Sequence, residues 1–278
     1  MLVAVAQTEP KIGEIDRNLE TIVERIKDAS AQGASIVVLP ECAVTGYVFE
    51  SKDEAHGAAQ EMKGNALCVL EKVCAECDIY AVCGMLIREG EELRNRSLLI
   101  GPEGLIATYD KTHLPFLGVD RFVTPGDKPL VPIETPIGRI GLLICYDLRF
   151  PEATRSLALQ GADLIAHPTN WPLAAKANAE FITRTRAHEN LVYLLTANRV
   201  GIEGTAEFCG WSQIVAPSGK RLAEADATSE VLIFAEVDIE KARSKSIVPI
   251  SGEYEMHLFG HRRPDLYGAI VEDLTDAN

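Results

Sequence analysis

Three side chains of reactive type stand where apolar runs end: Glu41 after SIVVLP, Lys111 after LIATYD, and Cys145 at the close of RIGLLIC. Strand ends are where open α/β sheets place their sites. Taken singly, Glu41 reads as a loop carboxylate and Lys111 as surface charge. Cys145 is different, because a helix start at Pro151-Glu152 follows six residues later. A strand–turn–helix setting can push a side chain outward while backbone N–H groups point at it. Together the three types suit acyl transfer. A thiol needs a base, and a nearby cation stabilises the thiolate. Glu41 would be the base and Lys111 the cation. Attack on a carbonyl puts charge on oxygen, which the Lys111 ammonium and the Tyr146 backbone N–H would receive; one such donor is worth ~3 kcal/mol. Protonated Glu41 would hand its proton to the departing nitrogen, and water would then cleave the thioester.

Other reactive groups compete less well. His113 and His167 sit near strand ends, but a Glu-Lys-Cys scheme needs neither, so hydrogen-bonding roles are expected. Arg149 can bind a substrate carboxylate or pair with Glu152 or Glu41, and the structural pairing ranks first. Cys74 and Cys77 form a CxxC pair on a helical stretch without a second pair at zinc-finger spacing, so they read as packed apolar side chains. Gly210-Trp211-Ser212 continues Gln213-Ile214 and is not a GxSxG turn.

The elements that must carry these residues alternate along the chain. LVAVAQ reads as a strand; Leu19, Ile22, Val23, Ile26 and Ala29 recur at helical spacing. A helix is expected over 65–77, then three strands in IYAVCGMLI, SLLI and LIATYD. PLVPIET and RIGLLICYD form another pair. A helix from Pro151 to about Gly161, a strand in ADLIAHP, a helix over 176–190, and strands in VYLLTANR, SQIVAP and VLIFAEVD follow. The stretch from about Ser246 is rich in Gly, Pro, His and Arg and reads as an extended tail. Alternation with direct hairpins predicts layered mixed sheets with helices outside. Nothing marks an internal domain boundary, so 1–278 is expected to be one domain.

With 278 residues, 47% of them hydrophobic, the chain can bury a large core. A formal charge of -14 argues against a nucleic-acid partner or an anionic membrane surface. The run IYAVCGMLI is far short of the ~20 residues of a membrane helix. MLVAVAQTEP lacks a basic head and a small-residue cleavage site, so a cytoplasmic location is expected. Seven cysteines in a chain this size do not suggest a disulfide framework.

The ordered set VAVAQTEPKIGEIDRNLE, VVLPECAVTGY, YDKTHLP, TPGD, GLLICYDLRFPE, HPTNWP, RTRAHEN, ANRVGIEG and RRPDLYG resembles the nitrilase superfamily of carbon–nitrogen hydrolases over nearly the whole chain. The resemblance implies an α/β fold, a four-layer α-β-β-α sandwich. It implies a triad falling on Glu41, Lys111 and Cys145, with no metal or organic cofactor. It implies a homodimer or larger assembly, with 246–278 as a C-terminal tail at the subunit interface. The family often adds a glutamate between the lysine and the PG turn; here Asp120 is the only carboxylate in that segment and is the candidate substitute. Tyr47, Asn170 and Trp171, and Tyr146, fall where the pocket is lined. Tyr-Asp-Leu-Arg-Phe-Pro-Glu after the cysteine looks like the amidase and carbamoylase branches. The expected activity is hydrolysis of a small carboxamide, with an ω-amide as its narrower form. A nitrilase or N-carbamoyl hydrolase is the alternative, and a catalytically silent binding subunit the reading from another class.

Overall fold

In the computed structural model, which describes residues 1–272, the apolar runs become two six-stranded sheets. The elements of the first half are β1 Leu2–Gln7, α1 Ile15–Ala31, β2 Ile36–Val38, α2 Lys52–Ala58, α3 Asn65–Cys77, β3 Tyr80–Glu89, β4 Glu92–Gly101 and β5 Gly104–Asp110. Then follow β6 Ile133–Thr135, β7 Gly138–Leu142, α4 Pro151–Leu159, β8 Leu164–Pro168, α5 Thr183–Asn190 and β9 Tyr193–Ala197. The hairpin β10 Ile202–Glu203 and β11 Ala206–Glu207 precedes β12 Gln213–Val215, β13 Arg221–Glu224, β14 Val231–Glu236 and α6 Ile239–Arg243.

One sheet has the order β14-β1-β2-β3-β4-β5 and the other β13-β12-β9-β8-β7-β6. Each has a parallel centre, β1-β2-β3 or β7-β8-β9, flanked by antiparallel strands. The central strands read as continuous apolar runs because both faces are covered. One face of each sheet meets the other sheet: Val3, Val5, Ile36, Val38 and Val82 pack with Ile140, Leu142, Leu164, Leu195 and Ile214. The opposite face of the first sheet takes α1 and α3 through Leu19, Ile22, Ile26, Leu70 and Val73. Burying a side chain such as Ile26 contributes ~2 kcal/mol. On the second sheet, Gly141 leaves room for Leu157 of α4; a Cβ there would come within 2.9 Å of it. Helix, sheet, sheet and helix thus form the expected four layers.

The chain divides into two compact units, Met1–Arg243 and Ser244–Asn278. The second holds an antiparallel hairpin, Ile247–Ile250 with Tyr254–Met256, and two short 3-10 turns, Pro264–Leu266 and Gly268–Ile270. An extended tail was expected there; Gly252, at φ 78°, supplies the left-handed turn that folds the strand back. Residues 273–278 of the expected tail lie outside the described residues. The helix expected over 176–190 is also interrupted: Asn178–Ile182 is a π turn, and the Thr183 hydroxyl donates to the Asn178 carbonyl at 2.9 Å. A side-chain bond of this kind competes with the regular helical pattern.

Candidate active site

Glu41 lies three residues beyond β2. Leu39 N–H still bonds the Val82 carbonyl at 2.8 Å, so the segment leaves the sheet along β3. Gly84 of β3 permits this path, since a Cβ would stand 2.6 Å from the Glu41 Cα. Lys111 prolongs the β5 ladder by one bond, from its N–H to the Asn95 carbonyl at 2.9 Å. Cys145 opens a 3-10 turn, Cys145–Arg149, three residues beyond β7. Its φ is +47°, a left-handed conformation that costs a non-glycine residue ~1–2 kcal/mol. Strain of this kind gathers at functional turns.

The fold brings Glu41, Lys111 and Asp120 into direct contact. The Lys111 ammonium donates to Glu41 Oε1 at 2.7 Å and to Asp120 Oδ2 at 2.5 Å. Asp120 also accepts from the Tyr47 hydroxyl at 2.7 Å, so its shorter side chain does reach the lysine. Asn95 Nδ2 bridges the carboxylates, donating to Glu41 Oε1 at 2.7 Å and Asp120 Oδ1 at 2.9 Å. All these groups are buried. Burial alone would lower the Lys111 pKa, but Asp120 and Glu41 outweigh it and hold the ammonium well above its ordinary range. Glu41 is raised by burial; Lys111 opposes this without cancelling it, and the like charge of Asp120 adds to the rise.

Cys145 is 4% exposed. Burial and the Glu41 charge raise its thiol well above the ordinary value, while Lys111, the Thr169 hydroxyl and the Asn170 backbone N–H partly offset them. The Lys111 ammonium is shared between Glu41 and Asp120.

Asn170, just past β8, donates from Nδ2 to the Glu41 carbonyl at 2.9 Å. That acceptor fixes the orientation of the amide and leaves its Oδ1 buried without a partner, as are Glu41 Oε2 and the indole N–H of Trp171. Trp171 lies against His167, with ring centroids 5.3 Å apart. Tyr146 occupies the first turn of the 3-10 segment, where N–H groups lack partners within the turn. Its ring meets Phe150 edge-on at 5.2 Å.

The histidines take the hydrogen-bonding roles expected of them. His167 Nε2 stands 3.1 Å from the Cys145 carbonyl and so must carry the proton. Burial lowers its pKa to about 4. His113 stacks on Phe150 at 3.8 Å and places Nδ1 2.7 Å from Asp147. Arg149 pairs with neither Glu152 nor Glu41 but donates to Asn178 Oδ1 at 3.1 Å. Burial, with the neighbouring Cys77, raises Cys74 to about 12, the behaviour of a packed thiol.

Sequence reasoning missed Asn95, Asp147 and Glu203. Asn95 carried a signal, an amide inside the otherwise buried stretch of β4. Glu203 accepts from the Tyr47 and Val48 N–H groups at 2.8 and 2.6 Å and pairs with Arg199 at 2.8 Å, so it fixes the loop that carries Tyr47. Its distance from Tyr47 along the chain hid that contact. Among the described residues, no group of three or more His, Cys, Asp or Glu side chains is arranged to hold a metal, and no helix is long and apolar enough to cross a membrane.

The carbon–nitrogen hydrolase profile matches residues 2–246, and the chain belongs to that family. It is a hydrolase of carbon–nitrogen bonds with the nitrilase-type α-β-β-α sandwich. It is 38% identical to a nitrilase of Pyrococcus abyssi over 266 residues, covering 95% of this chain and 98% of that one. It is 34% identical to an omega-amidase of Homo sapiens over 256 residues, covering 87% and 88%. An amidase from Nesterenkonia sp. has a similar structure, with a TM-score of 0.81 and 25% identity over 98% of this chain and 96% of that one.

Proposed function

We propose that this hydrolase is a cysteine amidase that converts a small carboxamide to a carboxylate and ammonia through a thioester on Cys145. The observation that carries the reading is Glu41: its Oε1 is held by Lys111 and Asn95, while its buried Oε2 has no partner. An acceptor left this way is placed to take a proton. In the proposed sequence the Cys145 sulfur attacks the amide carbon as its proton passes to Glu41. Two of the three Lys111 hydrogens go to Glu41 and Asp120, leaving the third for the developing oxyanion beside the Tyr146 N–H. Protonated Glu41 then protonates the leaving nitrogen, and ammonia departs. Asn170 Oδ1, also without a partner, suits an amide N–H of the substrate. Water, deprotonated by Glu41, attacks the thioester; the acid leaves and the proton returns to sulfur. Asp120 holds the lysine, and Tyr47 holds Asp120. Trp171 offers its unpaired indole N–H as a second polar contact.

Similarity to an omega-amidase supports an ω-amide of a carboxylic acid as substrate. Similarity to a nitrilase supports nitrile hydrolysis as the second reading. We place the enzyme in the cytosol as a homodimer or larger assembly, with 246–278 at the subunit interface. Light scattering on the purified protein tests the assembly. Ammonia release from a panel of primary amides, ω-amides, nitriles and N-carbamoyl amino acids tests the activity, with Cys145→Ala as the blank. Turnover of amides that disappears in Cys145→Ala is expected; turnover of nitriles alone would overturn the amidase reading.

A further inference from the structure

We propose that Asp147 is a positioning residue: its buried carboxylate joins the turn that carries Cys145 to the segment that carries Lys111. The inference rests on the reading of Cys145 as nucleophile. Asp147 is fully buried. Its Oδ2 accepts from the Ile144 N–H at 2.9 Å and from the Tyr109 hydroxyl at 2.8 Å. Its Oδ1 accepts from the His113 N–H at 3.0 Å and the Thr112 hydroxyl at 3.1 Å, and faces His113 Nδ1 at 2.7 Å. Four of these five contacts come from residues 109–113, which bracket Lys111. The fifth comes from the residue before Cys145.

The two groups joined in this way belong to different sheets. β5 leads into Lys111 on one sheet and β7 into Cys145 on the other. Apolar packing between sheets sets their separation but is not directional. Hydrogen bonds to a single carboxylate do fix direction. Asp147 also closes its own turn, since its N–H bonds the Ile144 carbonyl at 3.0 Å while its side chain holds the Ile144 N–H. His167 holds the Cys145 carbonyl from a second side, and Arg186 holds the Leu148 and Arg149 carbonyls from a third. The left-handed Cys145 is thereby fixed at both ends, and Asp147 is the one group among these that also reaches the lysine segment.

Asp147→Asn tests the role, because one oxygen becomes an NH2 facing N–H and O–H donors while size is kept. Alkylation of Cys145 by iodoacetamide, read by peptide mass spectrometry, is compared with that of the exposed Cys68 in the same sample. Turnover is measured with propionamide. In folded Asp147→Asn, the Cys145 to Cys68 alkylation ratio should fall at least ~10-fold and kcat ~100-fold, with KM within about threefold, as expected for a displaced reacting atom. Tyr109→Phe removes one of the five contacts and should lower kcat roughly three- to tenfold. If folded Asp147→Asn keeps both its alkylation ratio and kcat within about twofold of wild type, or loses kcat with the ratio unchanged, the positioning role is wrong. If Asp147→Asn does not fold, Tyr109→Phe decides: wild-type values for both readouts overturn the proposal, and a loss in both supports it. A wild-type protein that hydrolyses no amide refutes the proposed function, while the alkylation comparison still reads Asp147.

Discussion

Replacing Asp120 by Asn should move the acid limb of the activity profile to lower pH. Glu41 and Asp120 are bonded to one ammonium at 2.7 and 2.5 Å, so the two oxygens are at most about 5 Å apart. Two unit charges at that distance interact by about 3 kcal/mol at an effective dielectric of ~20, equivalent to about two pKa units. Asp120 is one of the causes that raise Glu41, and it also helps to raise Lys111. Removing its charge lowers both. Glu41 then stays ionised, and able to act as base, at more acidic pH. The amide introduced by Asp120→Asn would also set an NH2 group toward either Asn95 Nδ2 or the Lys111 ammonium, at a cost of about 1–3 kcal/mol in stability. The assay is kcat/KM for the best amide of the panel between pH 4 and 10, with folding checked by circular dichroism. The acid limb should fall by one to two units, as worked above. A folded variant with its acid limb unmoved would show that Glu41 is not the titrating base, or that Asp120 does not act on it.

Lys111→Ala leaves two buried carboxylates without their shared cation. It should abolish turnover and cost about 3–5 kcal/mol in urea melts; substantial residual turnover would remove the role given to Lys111. His167 has its pKa lowered from the ordinary 6.5 to about 4. The unfolded chain therefore binds more protons between those values, and this group's contribution to stability is lost as pH falls from 6.5 toward 4, by up to about 3 kcal/mol. Melts at pH 7 and pH 4.5 should show that loss in the wild type and less of it in His167→Gln; equal losses in the two would show that His167 is not its source.

Local patterns made much of the fold legible. Apolar periodicity marked α1 through Leu19, Ile22, Val23, Ile26 and Ala29, and the apolar runs IYAVCGMLI, SLLI and LIATYD marked β3, β4 and β5. Less visible were elements that depend on contacts distant in sequence. Helix α2 is only Lys52–Ala58, with one buried residue, Ala55, and hence little apolar signal. The π turn at Asn178 depends on one hydroxyl. Within the site, the ordered motifs led to Glu41, Lys111 and Cys145, and the structure places Asp120 on the lysine. The shared acceptor at Asp147 stayed hidden because its donors lie more than thirty residues away in the chain, apart from Ile144. The upward shift of the Cys145 thiol was hidden for a related reason: burial and the Glu41 charge, which no local motif encodes, outweigh the opposing effect of Lys111.

Facing side chains such as Val38 and Leu142 act as the spacer between two halves of the candidate active site. The proposed base and cation, Glu41 and Lys111, ride on one slab, and the proposed nucleophile, Cys145, on the other. Any slippage between the slabs changes the reach of sulfur to its proton acceptor before it exposes much apolar surface. The filling of the sandwich is therefore constrained by chemistry as well as by folding, and its side chains have less freedom to drift than those beneath the outer helices.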